Sequence, residues 1–202
     1  MEPLVHLEAV ALPLARPNVD TDQIVPARYL QKPRTDNFGD YLFRDTRFRA
    51  DGSEDPEFPL NRDAYRAARI VVAERNFGCG SSREHAVWAL YDYGFRVAIA
   101  PSFGDIFAAN ALKNGFLPIV LPDTVVDRLL AHLQRHGGAR VVVDLPTQKV
   151  VAPDRTVYPF EVDAFSKHCL LEGLDEISHT LSLLPAIEAY EAQLPRRVEV
   201  RR

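Results

Sequence analysis

The feature that most constrains this chain is the stretch 69–94, where an apolar run, a glycine loop and a segment of helical periodicity follow one another. Residues 70–73 read Ile-Val-Val-Ala, an uninterrupted apolar run typical of a strand that a parallel sheet buries on both faces. Gly78 and Gly80 come next, and an apolar stripe then runs to Gly94, a residue suited to ending a helix. The stretch predicts a strand, a loop and a helix.

The start of that helix carries a pattern of its own. Ser81 and Glu84 fit the S-x-x-E capping box, which predicts a helix capped by Ser81. The hydroxyls of Ser81 and Ser82, the guanidinium of Arg83 and the free N–H groups of the first turn would then share one loop. Such groups bind carboxylates and phosphates, although the pattern alone is equally compatible with a helix that is merely capped.

Two familiar glycine loops do not fit this stretch. The dinucleotide fingerprint G-x-G-x-x-G requires glycine where Arg83 stands, and the P-loop requires a Gly-Lys-Ser/Thr ending that is absent. The anion site is therefore expected to serve another ligand.

Residues 76–86, Asn-Phe-Gly-Cys-Gly-Ser-Ser-Arg-Glu-His-Ala, resemble the signature of the swivelling domain shared by aconitases and the small subunits of 3-isopropylmalate dehydratase. The resemblance implies that Ser81 is the base that removes a proton from a substrate carbon. It also implies that Arg83 holds a substrate carboxylate and that Ser82 is a hydrogen-bonding group of the same site.

The N-terminal part has a strand-like segment at 4–14, which we expect to be broken by Pro13 and ended by residues 16–17. Residues 18–22, Asn-Val-Asp-Thr-Asp, predict a turn that feeds a short helix near 27–30. Residues 18–30 also resemble the second signature of these small subunits, which implies that Asp22 is an acidic residue of the active site.

Residues 31–66 lose periodicity and mix charged with aromatic residues. A segment this long without a regular pattern predicts an irregular excursion or a surface for contact with another subunit. Arg34 lies twelve residues after Asp22, the interval that separates the acidic residue from a substrate-binding arginine in aconitase. The resemblance implies a substrate-binding role for Arg34, and a solvated loop arginine is the alternative.

After the central helix the pattern alternates between strands and helices. It predicts strands at 97–100 and 117–121, helices at 105–114 and 124–136 with Asp123 as cap, and antiparallel strands at 140–145, 149–152 and 156–160. The resemblance implies a single three-layer β/β/α swivelling domain over residues 1–202, with a mostly parallel central sheet and a helical tail at 163–202 that includes a helix at 185–194.

Composition limits the classes of function. A formal net charge of −4 gives no general attraction to nucleic acid or anionic lipid, and no run approaches the length of a membrane span. Cys79 and Cys169 are too few for a disulfide framework or an iron–sulfur cluster, so we expect an untargeted cytoplasmic protein. His132 and His136 stand four apart, but in the last turns of a helix they complement its dipole and no third metal ligand is evident.

The resemblance implies a hydro-lyase that interconverts 2- and 3-isopropylmalate through isopropylmaleate in leucine biosynthesis. It also implies that a separate large subunit carries a [4Fe-4S] cluster, so that this chain is active only with that partner.

Three alternatives stay open. A related hydro-lyase subunit could act on homoaconitate or a methylated malate. Residues 30–34 would then determine which substrate is accepted, through the groups that they place beside the substrate's side group. Cys79 could be the nucleophile of a thiol enzyme, since a cysteine near a helix start can have a lowered pKa. The chain could also be a binding partner without chemistry of its own.

Overall fold

Seven strands form one mixed sheet in the order β4-β3-β2-β1-β5-β6-β7. The structure is a computed structural model that describes residues 1–34 and 37–193. The strands are β1 (His6–Leu14), β2 (Ile70–Ala73), β3 (Val97–Ala100), β4 (Leu117–Val120), β5 (Arg140–Asp144), β6 (Lys149–Val151) and β7 (Val157–Pro159). Strands β1 to β4 pair in parallel, whereas β1 with β5, β5 with β6 and β6 with β7 pair antiparallel.

Strand β1 joins the two parts of the sheet. Its first part, from His6 to Val10, pairs with β5, and its last part, from Ala11 to Leu14, pairs with β2. The expected break at Pro13 is wrong, because the strand continues through it and Pro13 pairs with Val72. Proline is tolerated there because the antiparallel ladder ends at Val10, so the missing N–H faces no partner strand.

Helices cover both faces of this sheet. They are α1 (Thr21–Ile24), α2 (Arg44–Arg47), α3 (Glu84–Tyr93), α4 (Asp105–Lys113), α5 (Asp123–Arg135), α6 (Ala164–Glu172), α7 (Glu176–Ser182) and α8 (Leu184–Glu191), with 3₁₀ turns at Ala27–Tyr29, Phe38–Tyr41, Pro59–Asn61 and Asp63–Tyr65. The turn at Ala27–Tyr29 replaces the predicted short helix, and α8 replaces the helix predicted at 185–194, whose last residue lies outside the described ranges.

Two apolar clusters occupy the two faces, because successive residues of each buried strand point in opposite directions. Val71 and Ala73 pack on the side of α3, while Ile70 and Val72 pack on the side of α5. The four residues of β2 are fully buried, as the apolar run predicts. The predicted alternation of strands and helices is confirmed, and the predicted antiparallel strands extend the same sheet through β1.

The predicted cap of α5 is wrong in detail. Asp123 is the first residue of the helix and Pro122 occupies the N-cap position without a side-chain hydrogen bond. The Asp123 carboxylate instead forms an exposed ion pair with Arg75, at 3.2 Å.

The described part of the excursion, 31–34 and 37–66, packs on the α3 side of the sheet. Phe38, Phe43 and Leu60 are among its buried side chains. Arg47 is also buried, and its Nε donates to Asn61 Oδ1 at 2.8 Å. No helix among residues 1–34 and 37–193 has the length and apolar character needed to cross a membrane.

Candidate active site

The loop between β2 and α3 is held in place by the turn that follows β1. The Gly78 N–H donates to the Val19 carbonyl at 2.7 Å, and the Thr21 N–H donates to the Cys79 carbonyl at 2.9 Å. The Thr21 hydroxyl donates to the Ser81 carbonyl at 3.1 Å. Because β1 and β2 are parallel neighbours, the chain segments after them leave the same edge of the sheet, and the two sequence signatures meet there.

Two glycines let this loop lie against the start of α4. Gly78 has a φ of +74°, and a Cβ built on it would lie 2.2 Å from the Phe107 ring. A Cβ on Gly104 would lie 2.5 Å from the Gly78 carbonyl oxygen. Only glycine fits either position, so these two residues allow the loop to pack against α4.

The predicted capping box is wrong. Helix α3 begins at Glu84, and its N-cap is Arg83 in an extended conformation without a side-chain cap. The Glu84 carboxylate does not return to the loop, because it accepts a hydrogen bond from Asn114 Nδ2 at 2.7 Å. Within the described residues, the hydroxyls of Ser81 and Ser82 are exposed and have no hydrogen-bond partner. The helix start and both hydroxyls are therefore available to a ligand.

Ser81 lies at one end of a groove of about 180 Å³ between this loop and the first turn of α4. Its lining residues are Gly78, Gly80, Ser81, Gly104, Asp105, Ile106 and Phe107. Helix α4 also begins without a side-chain cap, at Gly104. The partial positive charge of helix N-termini stabilises negative charge on a nearby ligand or hydroxyl oxygen.

Arg83 and Asp22 form an ion pair beside Ser81. The Arg83 Nη1 donates to Asp22 Oδ1, which also accepts the Ala27 N–H at 3.0 Å. The Arg83 hydrogen bond holds the pKa of the Asp22 carboxyl below its ordinary value, with further lowering by the Arg83 charge and by the Ala27 N–H; burial opposes them. The Arg83 side chain is 16% exposed and the Asp22 side chain is 54% exposed. The guanidinium is therefore held in place, while the carboxylate that it binds remains open to solvent.

Arg34 is placed elsewhere, on the later part of α3. Its Nη1 and Nη2 donate to the two carboxylate oxygens of Asp92 at 2.7 and 3.0 Å. Asp92 lies nine residues after Arg83, which is about 13 Å along a helix axis. The structure thus brings together Asp22, Ser81, Ser82 and Arg83, and it does not bring Arg34 to them. The substrate-binding role of Arg34 stays a prediction.

Cys79 lies in the same loop but is not an activated thiol. Burial raises the pKa of the Cys79 thiol, and the charge of Asp20 raises it further. A catalytic cysteine requires the opposite shift. This environment disfavours the thiol-enzyme alternative.

The His85 ring packs against aromatic side chains and is not positioned as a base of the loop. Its ring lies 4.5 Å from that of Trp88 and 5.4 Å from that of Phe38, between centroids. Burial lowers the pKa of His85, with Arg83 adding to the effect, while a bond to the Leu30 backbone and the charge of Glu84 oppose it.

The described residues contain no group of three or more His, Cys, Asp or Glu side chains that could hold a metal ion. The two cysteines, Cys79 and Cys169, lie in different elements and are unpaired. The residues of this chain therefore do not fit an iron–sulfur cluster.

Sequence reasoning missed three residues that support the site. Thr21 fixes the Ser81 carbonyl, Asn114 draws Glu84 away from the loop, and Asp92 holds Arg34. Each contact joins residues at least 30 positions apart, so no local pattern could identify the partners. The density of polar residues at 18–22 is the available signal for Thr21, and by itself it predicts a turn.

Known proteins resemble this chain over nearly its whole length. A protein-family model described as the aconitase C-terminal domain matches residues 1–124, and one described as LeuD_N matches residues 127–164. The 3-isopropylmalate dehydratase small subunit of Rhodopseudomonas palustris (strain BisA53) is 50% identical over 193 residues, which is 96% of each chain. That of Nitrobacter winogradskyi is 50% identical over 196 residues, covering 97% of this chain and 98% of the relative.

A solved structure has the same fold. The crystal structure of 3-isopropylmalate dehydratase from Methanocaldococcus jannaschii superimposes with a TM-score of 0.65 at 26% identity, covering 93% of this chain and 99% of that chain. Together with the family match, this confirms the predicted swivelling-domain fold with its parallel centre.

Proposed function

The chain belongs to the family of 3-isopropylmalate dehydratase small subunits, and on that premise we propose that it supplies the proton-transferring half of a two-subunit hydro-lyase. The reaction is the interconversion of 2- and 3-isopropylmalate through isopropylmaleate, a step of leucine biosynthesis. One observation carries the proposal: the Ser81 hydroxyl is exposed and without a partner among the described residues, at the uncapped start of α3 and two residues before Arg83.

Dehydration of a 2-hydroxy acid removes a proton from one carbon and hydroxide from its neighbour. In the proposal the Ser81 alkoxide takes the proton, and the electron pair of that C–H bond forms the double bond as hydroxide leaves. Ser81 then holds the proton as a hydroxyl and returns it to the neighbouring carbon position during rehydration. The same serine serves both directions.

A serine is a base only where its charged form is stabilised. The uncapped N-terminus of α4 lines the Ser81 groove, and the uncapped α3 begins three residues after Ser81, with Arg83 between them. Fixed N–H dipoles and a cation near an oxygen favour the alkoxide over the neutral hydroxyl. These groups are in place before a substrate arrives, so little reorganisation is required.

Arg83 is the proposed ligand of one substrate carboxylate. The hydrogen bond to Asp22 uses Nη1 alone, which leaves Nη2 and Nε of the guanidinium available within the described structure. Asp22 would hold the arginine during catalysis, and the Ser82 hydroxyl would donate to a substrate oxygen. Arg34 is a candidate for the other carboxylate only in a conformation in which it has left Asp92.

The departure of hydroxide requires a Lewis acid, and the described residues of this chain do not form a binding site for one. We place that function, with a [4Fe-4S] cluster, on the large subunit. The small-subunit names of the relatives support the need for such a partner. A cytoplasmic location is supported by the unpaired thiols of Cys79 and Cys169.

Homoaconitate and methylated malates are the alternative substrates. A methylated malate differs from isopropylmalate in the side group, and homoaconitate is an unsaturated acid that corresponds to the intermediate isopropylmaleate. The test is reconstitution: a tagged copy of the chain is co-expressed with the large subunit, purified anaerobically and assayed with each substrate. We expect an iron-containing complex that prefers isopropylmalate. A complex that forms but neither dehydrates the hydroxy acids nor hydrates homoaconitate would contradict the proposal.

A further inference from the structure

The segment from Asp22 to Arg34 runs along α3 and is fixed to it by an ion pair at each end. Asp22 pairs with Arg83 at the start of α3, and Arg34 pairs with Asp92 in its last turn. Between them the Leu30 backbone lies near the His85 ring. Asp22 at the start and Arg34 at the end have the signs that the helix dipole favours, and each neutralises a residue, Arg83 or Asp92, whose own sign the dipole disfavours.

Asp92 accepts three hydrogen bonds from this segment and the residues after it. It accepts Arg34 Nη1 and Nη2 at 2.7 and 3.0 Å and the Phe38 N–H at 3.1 Å. The Asp92 side chain is 14% exposed, so these bonds are shielded in part from water. The Arg34 guanidinium also lies over the Trp88 ring, 5.0 Å from its centroid.

The residues beyond Arg34 dock on the same helix. Phe38 is fully buried and lies against Trp88, with ring centroids 5.5 Å apart. A Cβ on Gly39 would lie 2.7 Å from the Tyr93 nitrogen, so its backbone is in close contact with α3. Asp92 therefore anchors by hydrogen bonds a segment that also packs on α3 through Phe38 and Gly39.

We propose that Asp92 is a positioning residue: by fixing Arg34 and the Phe38 N–H on α3, it determines where residues 27–34 lie relative to Asp22 and Arg83. It thereby selects the side group that the substrate can carry. This inference rests on the proposed function for the identity of the substrate. It assigns Arg34 an indirect role, in place of the direct carboxylate contact predicted from its spacing.

The geometry favours the indirect role. Both terminal nitrogens of Arg34 are taken by Asp92, and Asp92 is about 13 Å from Arg83 along the helix. Arg34 therefore contacts the opposite end of α3 from Arg83, and the carboxylate that it binds there is that of Asp92.

A double-mutant cycle in the reconstituted two-subunit complex tests the inference. Arg34→Ala, Asp92→Ala and the double variant are assayed with isopropylmalate and with methylmalate. We expect each single variant to lower kcat/KM for isopropylmalate by about tenfold, mainly through KM, and the double variant to be no worse than either. The ratio of kcat/KM for the two substrates should change by a similar factor in all three.

Two further variants complete the design. Asp92→Asn keeps the shape and the acceptor for the Phe38 N–H, so it reports the loss of the ion pair even if Asp92→Ala folds poorly. Arg140→Ala removes an exposed arginine that donates to Glu8 at 2.9 Å on a different part of the sheet, and its kinetics should match the wild type within about twofold.

The inference is overturned if Arg34→Ala is at least tenfold worse than Asp92→Ala, if the two effects multiply, or if the substrate ratio is unchanged. A wild-type complex without activity would refute the proposed function instead. In that case hydrogen exchange of residues 37–42 in the isolated chain still judges the inference. Faster exchange in Asp92→Ala and the double variant, with a smaller increase in Arg34→Ala because Asp92 still accepts the Phe38 N–H, supports it. Unchanged exchange in Asp92→Ala contradicts it.

Discussion

The Asp22 carboxylate accepts a hydrogen bond from the Arg83 guanidinium, and this contact joins the turn after β1 to the start of α3 across 61 residues of sequence. It brings the two sequence signatures to one edge of the sheet. It also explains how an arginine in a solvent-facing loop becomes a fixed group, with 16% of its side chain exposed. The candidate site therefore depends on the pairing of β1 with β2 as much as on the helix.

Replacing Arg83 by lysine should lower kcat and raise KM together. A lysine ammonium cannot hold Asp22 and a carboxylate in the same forked geometry, and it gives less support to an alkoxide at Ser81. We expect kcat/KM to fall by about one to two orders of magnitude, since charged hydrogen bonds contribute roughly 1.5–3 kcal/mol. Steady-state kinetics of the complex measure it. Arg75→Lys, at an exposed ion pair with Asp123, is the matched control; an Arg83→Lys enzyme with both constants within twofold of the wild type would contradict this account.

Gly78→Ala should destabilise the fold much more than Gly52→Ala. Both glycines have positive φ, at +74° and +83°, but only at Gly78 does the new Cβ meet another group, the buried Phe107 ring at 2.2 Å. We expect a loss of about 2–4 kcal/mol at Gly78 and about 1 kcal/mol at Gly52. Denaturant unfolding of the two variants decides the matter. Equal losses would mean that the packing against α4 contributes nothing.

His85 should make the fold less stable at mildly acidic pH. Burial lowers its pKa below the ordinary value of 6.5, so the unfolded chain binds the proton more readily than the folded chain. The stabilisation is complete above pH 6.5 and is lost as pH falls through the lower, folded-state pKa. His85→Gln should therefore flatten the stability profile between about pH 7 and 5. His136→Gln, at an exposed position, is the control; identical slopes in the wild type and His85→Gln would refute the assignment.

The parts of the fold that depend on short-range pattern were predictable. The apolar runs at β2 and β3 gave the bounds that the structure has, because strands buried on both faces require apolar residues at every position. Gly94 ends α3 in the left-handed region at φ +117°, as its place in the pattern predicted.

The errors share one physical cause, which is competition from distant partners. Ser81 and Glu84 satisfy the capping box in sequence, but Thr21 fixes the Ser81 carbonyl and Asn114 takes the Glu84 carboxylate. The substrate-binding role predicted for Arg34 stays a prediction, and in this structure Asp92 binds that side chain from 58 residues away. In the site, the identities of Ser81, Arg83 and Asp22 came from resemblance, and only the structure brought the three together.

The most direct test of the central claim is the dehydration rate of the Ser81→Ala complex, followed by formation of isopropylmaleate. Removing a catalytic base costs about 10² to 10⁴ in rate, so we expect a loss of that size in kcat with the two subunits still associated. Cys79→Ser and Ser82→Ala are measured beside it; Cys79→Ser should keep most of the activity, and Ser82→Ala should lose less than Ser81→Ala. An active Ser81→Ala complex together with an inactive Cys79→Ser complex would contradict the serine mechanism and transfer the chemistry to the thiol.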